Sequence, residues 1–246
     1  MEENINNLIK KFNALKCKGF IEGINKNKNS GGIILEKLFN CGADDLCFPD
    51  FEGIELKAIR DYDDAQIELL NDTPSGPYIN TTQWLTNKYG YPDKTWREKK
   101  AFKGDVNCIS LKKIGLFYSY KLRVDKRKLI LEIYNFNGKK INEDLYWDFE
   151  WLKKKLETKL KYFALINTTR IYSKGKYYYN YNNIKIYKLK DFNIFIELLK
   201  KGIITITFKN GYYKSGKYKG KFHDHGTSFR IHKNDLNKLF DLITSA

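Results

Sequence analysis

Apolar residues in this chain come in short bursts. The longest, such as Ile203–Phe208, are strand-sized, and none approaches the roughly 18 consecutive apolar residues of a membrane span. Bursts of that length must bury themselves by pairing and layering, and 246 residues are enough chain for one large domain or two modest lobes. Helical spacing appears in Asn4–Lys18, where Ile5, Leu8, Ile9, Phe12 and Leu15 share a face. Ile33–Phe39, Trp147–Leu160, Phe192–Lys200 and Leu236–Ile243 read as further helices, the first of these begun by Ser30 or a neighbouring glycine and stopped near Asn40 and Gly42. Strands are expected at Ile54–Ile59, Val106–Leu111, Gly115–Val124, Lys128–Phe136, Tyr162–Ile166, Ile184–Leu189 and Ile203–Phe208. Loops or turns fall at Asn25–Gly32, Pro49-Asp50, Pro74–Pro77, Lys112-Lys113, Asp125-Lys126 and a Tyr-rich stretch before Ile184. The fold class is therefore α/β in the mixed, α+β sense, with a substantial antiparallel part.

A 42% hydrophobic and 15% aromatic composition excludes a disordered chain. The opening Met1-Glu2-Glu3-Asn4 is the opposite of a basic-then-apolar signal peptide, so a soluble, cytoplasmic protein with no membrane association is expected. Cys17, Cys41, Cys47 and Cys108 lack the paired spacing of zinc ligands and are too few for a disulfide scaffold, which leaves reduced thiols. The net charge of +16 is unevenly spread: residues 1–80 hold 9 Lys+Arg against 14 Asp+Glu, whereas residues 161–246 hold 17 against 5. A Lys-rich composition explains the total but not the segregation. A basic surface on this scale selects polyanions, and nucleic acid first among them.

The chemistry concentrates in Pro49-Asp50-Phe51-Glu52-Gly53-Ile54-Glu55-Leu56-Lys57-Ala58. On a strand, Ile54, Leu56 and Ala58 face the core while Glu55 and Lys57 share the other face, and a turn at Asp50 swings a second carboxylate beside Glu55. Two carboxylates can hold Mg²⁺ through oxygen ligands and leave positions for water and phosphate oxygens. The lysine can orient or deprotonate an attacking water and offset developing charge. The same spacing also fits an ordinary amphipathic strand with solvated Glu and Lys. Glu36, in the preceding helix, can reach the same point, although alone it would read as a surface residue.

Gly-Gly-x-x-Leu-Glu at 31–36, followed by the Pro-Asp-x4-Glu-Leu-Lys-Ala stretch, resembles the PD-(D/E)XK nucleases, in the branch that holds the mismatch-repair nickase MutH and the MvaI/BcnI restriction endonucleases. Asp224-His225-Gly226-Thr227-Ser228-Phe229-Arg230 is similar to a stretch near the end of the MvaI/BcnI family, and it favours restriction enzyme over nickase. The resemblance implies a nuclease core with a second DNA-recognition lobe forming a cleft, here expected at about 1–160 and 161–246. It implies Asp50, Glu55, Lys57 and Glu36 as the catalytic set, with Asp50 and Glu55 on Mg²⁺. Some members use a further lysine; Lys112 and Lys121 lie in plausible strands and neither is assigned. The implied reaction is in-line phosphodiester hydrolysis leaving 5′-phosphate and 3′-hydroxyl. The implied enzyme is a monomer that cuts one strand at a time at a CC-N-GG type site, CCWGG in its expected form, with a cognate DNA methyltransferase as a functional partner outside any stable complex.

Residues 200–233 carry nine Lys+Arg and one acid, interleaved with Tyr212, Tyr213, Tyr218, Phe222 and Phe229, and contain all three histidines. Arg230 has the two-pronged donor that suits guanine, His223 and His225 can donate in the major groove, and Asp224 can accept from cytosine. These four, with Lys209, are the expected DNA-binding residues. Lys214, Lys217, Lys219 and Lys221 read as phosphate contacts at most. His-x-His also suggests a metal pair, but no third ligand stands at convincing spacing. Tyr177–Tyr181 reads as strand packing rather than base stacking. The rival functions are a MutH-like nickase and a DNA-binding protein without catalysis.

Overall fold

The structure, a computed structural model, describes residues 1–24, 30–39, 49–61 and 65–246. The expected loop residues 25–29, the helix stop at Asn40 and Gly42, and Cys41 and Cys47 lie outside them. The chain opens with α1 (Glu2–Lys16), β1 (Ile21–Glu22), α2 (Gly31–Leu38), β2 (Glu55–Arg60), β3 (Gln66–Asn71), α3 (Thr81–Tyr89), β4 (Tyr91–Pro92) and β5 (Lys100–Val106). It continues with β6 (Lys112–Lys113), β7 (Tyr118–Val124), β8 (Lys128–Asn135), β9 (Lys140–Asp148), α4 (Phe149–Leu160), β10 (Tyr162–Ser173) and β11 (Lys176–Leu189). It ends with α5 (Phe192–Lys200), β12 (Ile204–Tyr212), β13 (Phe222–Asp224), β14 (Ser228–His232), α6 (Leu236–Leu239) and β15 (Phe240–Ser245). None of the described helices is long and apolar enough to cross a membrane.

These elements form two compact units, Met1–Ala65 with Lys154–Asp191 and Leu236–Ala246, and Gln66–Lys153 with Phe192–Asp235. A single cut near residue 160 therefore does not divide the chain. The reason is in the first unit's sheet: β10 pairs in parallel with β2, Phe163 opposite Glu55 and Leu165 opposite Lys57, so the chain returns to its first sheet after forming β3 to β9. The parallel pairing demands a crossover, and α4 leads directly into β10. β11 pairs with β10 in a long hairpin, and its other edge carries β1 and β15. Leu8 and Phe12 of α1, Ile34 and Leu35 of α2, and Ile54 and Leu56 beside and on β2 are buried in one apolar cluster with Ala164, Ile166, Ile184 and Ile186. Tyr179 and Tyr181 are buried in the same cluster, as strand packing requires. Tyr181 donates its hydroxyl to the Gly31 carbonyl (2.7 Å) and the Tyr179 ring comes within 3.0 Å of where a Gly31 Cβ would stand, so both clamp the start of α2.

The second unit holds two sheets, β3-β14-β12-β5-β4 with β13 on β12, and β6-β7-β8-β9. Trp147, Phe208, Phe229, Phe102 and Tyr120 are fully buried there, and Trp147 donates its indole N–H to the Asp72 carbonyl at 2.9 Å. The fold class is the expected mixed α/β with several sheets.

Local expectations failed where neighbours or side-chain turns intervened. Residues 107–111 are not a strand, because the Asn107 carboxamide accepts from the backbone of Ile109 and Ser110 and ends β5. Lys112-Lys113 is a short strand against β7 rather than a turn. The Tyr-rich stretch is continuous ladder in β11, and the turn lies at Lys174-Gly175. Leu236–Ile243 is helical only to Leu239, after which the backbone pairs with β11. That edge of β11 offers unpaired N–H and C=O groups, and satisfying them outweighs one more helical turn.

Gly90 closes α3 where a Cβ would sit 2.4 Å from the Thr86 oxygen and 2.7 Å from the Ala101 oxygen, both backbone atoms. Gly90→Ala is expected to destabilise the protein by about 2 kcal/mol. Gly138→Ala, with open space but φ +75°, should cost about 1 kcal/mol. Chemical denaturation checks the order of the two, and a larger loss at Gly138 would contradict it.

Candidate active site

Asp50 reaches the edge of β2 through a tight hairpin. Glu52 and Gly53 adopt φ +44° and +88°, while Phe51 and Ile54 exchange backbone hydrogen bonds of 3.0 and 2.7 Å. This is the two-residue turn with both central residues left-handed, and glycine carries the second position without strain. Asn4 of α1 holds it by donating to the Glu52 carbonyl at 2.8 Å. The chain thereby doubles back, and Asp50 Oδ2 accepts the Leu56 backbone N–H at 2.8 Å.

Along β2 the alternation is as the sequence suggests: Ile54 and Leu56 enter the core, and Glu55 and Lys57 share the opposite face. Glu55 is only 5% exposed. Its Oε1 lies 3.4 Å from Lys57 Nζ and 3.3 Å from Lys159 Nζ, and its buried Oε2 has no hydrogen-bond partner among the described residues. Burial pushes the Glu55 carboxyl above its ordinary range, and Asp50 adds to the shift against the pull of Lys57 and Lys159. Burial, followed by the charge of Asp50, raises Glu36 as well, with Lys159 opposing. The structure thus brings Asp50, Glu55, Lys57 and Glu36 into one electrostatic group.

Lys159 is the member that reading along the chain missed. It sits in the last turn of α4, just before β10, and the parallel register that sets Phe163 against Glu55 delivers it there. Only that pairing distinguishes it from the other lysines of α4. Lys112 and Lys121 lie on β6 and β7, in the other compact unit.

Among the described residues no three His, Cys, Asp or Glu side chains are grouped closely enough to enclose a metal ion. The orphaned, buried Oε2 of Glu55 beside Asp50 nonetheless fits one oxygen-seeking cation that keeps part of its water, the habit of Mg²⁺.

The second unit carries the other expected residues on one sheet. Arg230 on β14 stands opposite Glu68 on β3, and its Nη2 lies 3.8 Å from Glu68 Oε2. Lys209 Nζ on β12 is also 3.8 Å from that oxygen and 3.4 Å from the Ser228 hydroxyl. Burial lowers the Lys209 pKa, and nearby Arg230 lowers it further while Glu68 opposes. His223 stacks on Tyr213 with ring centroids 4.0 Å apart, and the His225 ring stands 3.8 Å from that of His223. Asp224 accepts the Gly226 N–H at 2.8 Å and so shapes the turn that carries His225.

A profile of the MvaI/BcnI restriction endonuclease family matches residues 9–240. The chain belongs to that family. As a family member it is a type II site-specific deoxyribonuclease. Among solved structures, restriction endonuclease MvaI in complex with its cognate DNA substrate superposes with a TM-score of 0.91 at 28% identity, covering 99% of this chain and all (100%) of that one. MvaI in the absence of DNA matches with a TM-score of 0.62 at 27% identity, covering 98% of this chain and 97% of that one. Such identities make this family member a relative of MvaI rather than that enzyme. No curated protein sequence matches the chain.

Because burial opposes ionisation of Glu55, its folded pKa lies above the unfolded one and the folded state holds the proton more tightly. Stability is then lost as pH rises from the ordinary carboxyl value of 4.5 through the folded pKa. In metal-free buffer Glu55→Gln is expected to be more stable than the parent at mildly alkaline pH, with the gap closing as pH falls towards 4.5. Melting curves across that range test the sign, and a less stable Gln variant at high pH would refute it.

Proposed function

We propose that this chain is a Mg²⁺-dependent restriction endonuclease of the PD-(D/E)XK type that hydrolyses both strands of a short CC-N-GG site in double-stranded DNA, CCWGG in its expected form. It acts as a monomer, one strand per binding event, in the cytoplasm, beside a cognate DNA methyltransferase. The observation that carries the reading is the convergence of Asp50, Glu55 and Lys57 on one strand edge, with a buried carboxylate oxygen that has no partner among the described residues. The solved complex of its relative MvaI with cognate DNA supports duplex DNA as the substrate.

Asp50 and Glu55 would hold the cation, which when bound supplies Lewis-acid stabilisation of the phosphate charge and a more acidic water. The protein's own groups do the rest. The Leu56 N–H fixes Asp50 Oδ2 and would leave the other oxygen for the cation. Lys57 and Lys159 bracket Glu55 Oε1, so two ammonium groups stand where negative charge grows on the phosphate and where an attacking water needs a partner. Glu36 adds a third carboxylate to the group and supports the arrangement of Asp50 and Lys159. In the other unit, Arg230, His223, His225, Asp224 and Lys209 read base edges in the major groove, where each pair shows a distinct donor and acceptor pattern.

Incubating unmethylated plasmid with the protein, in Mg²⁺ and separately in EDTA, and sequencing the ends should give discrete Mg²⁺-dependent fragments with 5′-phosphates at the proposed site. Intact plasmid in both would leave the activated nickase or the silent binder. Lys57→Ala should lose cleavage by at least about a hundredfold while DNA binding stays within a few-fold of the parent. Arg230→Ala should cost about 1–3 kcal/mol of preference for the cut site, read from binding to cognate and altered duplexes. Equal weakening on every sequence would assign Arg230 to phosphate instead.

A further inference from the structure

An acid on a face meant for a polyanion weakens the encounter, so Glu68 needs a physical reason to be there. Its carboxylate is fixed from two sides. Asn71 Nδ2 donates to Oε1 at 2.6 Å, and the Ser228 hydroxyl lies 2.8 Å from Oε2. The two cations behave differently. Lys209 Nζ and Arg230 Nη2 each stand 3.8 Å from the same Oε2, close enough for charge to act and too far for a hydrogen bond. Arg230 Nε is buried and makes no hydrogen bond among the described residues. Glu68 thus lets two mutually repelling cations occupy one patch of sheet without taking a hydrogen bond from either, and Lys209 Nζ donates instead to the Ser228 hydroxyl at 3.4 Å.

The same carboxylate reaches the histidine turn. Ser228 Oγ is also 2.8 Å from Asn71 Oδ1, and a Cβ on Gly226, at φ +94°, would meet that Oδ1 at 3.0 Å. Asn71 therefore lies against the turn that Asp224 shapes and that carries His225. One connected polar network links the DNA-binding residues of β12 and β14 to the loop between β13 and β14.

We propose that Glu68 is the positioning residue of the base-reading face, holding Lys209 and Arg230 side by side by charge and, through Asn71, setting the turn that presents His225. The inference rests on the reading of those residues as DNA contacts. Glu68→Gln keeps the hydrogen-bonding shape and removes the charge; Glu68→Asp keeps the charge.

The test uses the full chain carrying Lys57→Ala, so that binding is read without cleavage, with fluorescent duplexes holding either the sequence the parent cuts or that sequence with one base pair changed. Adding Glu68→Gln should cut the ratio of the two affinities roughly tenfold, while affinity for the altered duplex holds or rises because a negative charge has gone. Glu68→Asp should retain most of the ratio. An unchanged ratio with Glu68→Gln, or equal loss on both duplexes with a lowered melting temperature, overturns the positioning role and leaves the function intact. A Lys57→Ala parent with no preference between the duplexes overturns the base-reading assignment and this inference together.

Discussion

The parallel ladder between β2 and β10 is the contact on which the rest depends. It joins segments separated by all the strands from β3 to β9, and nothing local in either strand requires it. Once formed, it fixes the height of β10 against β2 and therefore the end of the helix that feeds β10. Lys159 arrives beside Glu55 by that route. The apolar side of the same strands closes the core with α1 and α2, so the register that assembles the chemical face also buries the cluster around Leu8, Phe12 and Ile34.

Two carboxylates are used in the same way in different units. Glu55 stands 3.4 and 3.3 Å from two lysines, and Glu68 stands 3.8 Å from a lysine and an arginine. In each case one carboxylate is set against two cations. The burial differs and so does the consequence. Glu55 is enclosed and, among the described residues, its Oε2 accepts no hydrogen bond, which suits a small cation; Glu68 is partly open and takes its hydrogen bonds from Asn71 and Ser228 rather than from the two cations, which suits cations that are to face an acceptor-rich ligand.

What could be read from the chain was what neighbouring residues decide among themselves. The intervals of Ile5, Leu8, Phe12 and Leu15 specify α1, and Phe192–Lys200 has the same bounds in sequence and structure, because one apolar face per turn is a local property. The face shared by Glu55 and Lys57 was legible for the same reason. The elements that were not legible depend on partners. β9 mixes Glu143 and Asp144 with Leu145 and Trp147, and its charged residues mask the strand until β8 supplies a ladder. Residues 240–243 look helical until the open edge of β11 is present. Lys159 and Glu68 are ordinary charged residues in the linear chain; a parallel strand pair distinguishes one and an antiparallel pair the other.

The first unit is assembled from the beginning, the middle and the end of the chain. During synthesis Asp50, Glu55 and Lys57 emerge early, but the strand beside them and the lysine above them follow only after the whole of β3 to β9, and the last edge of their sheet is made by residues 240–245. Long-range pairing of this kind forms late and slowly. A nascent or truncated chain that lacks those residues therefore holds Asp50 and Glu55 on an unfinished sheet, and the carboxylate–lysine group is complete only after residues 240–245 have followed β10 and β11 into place.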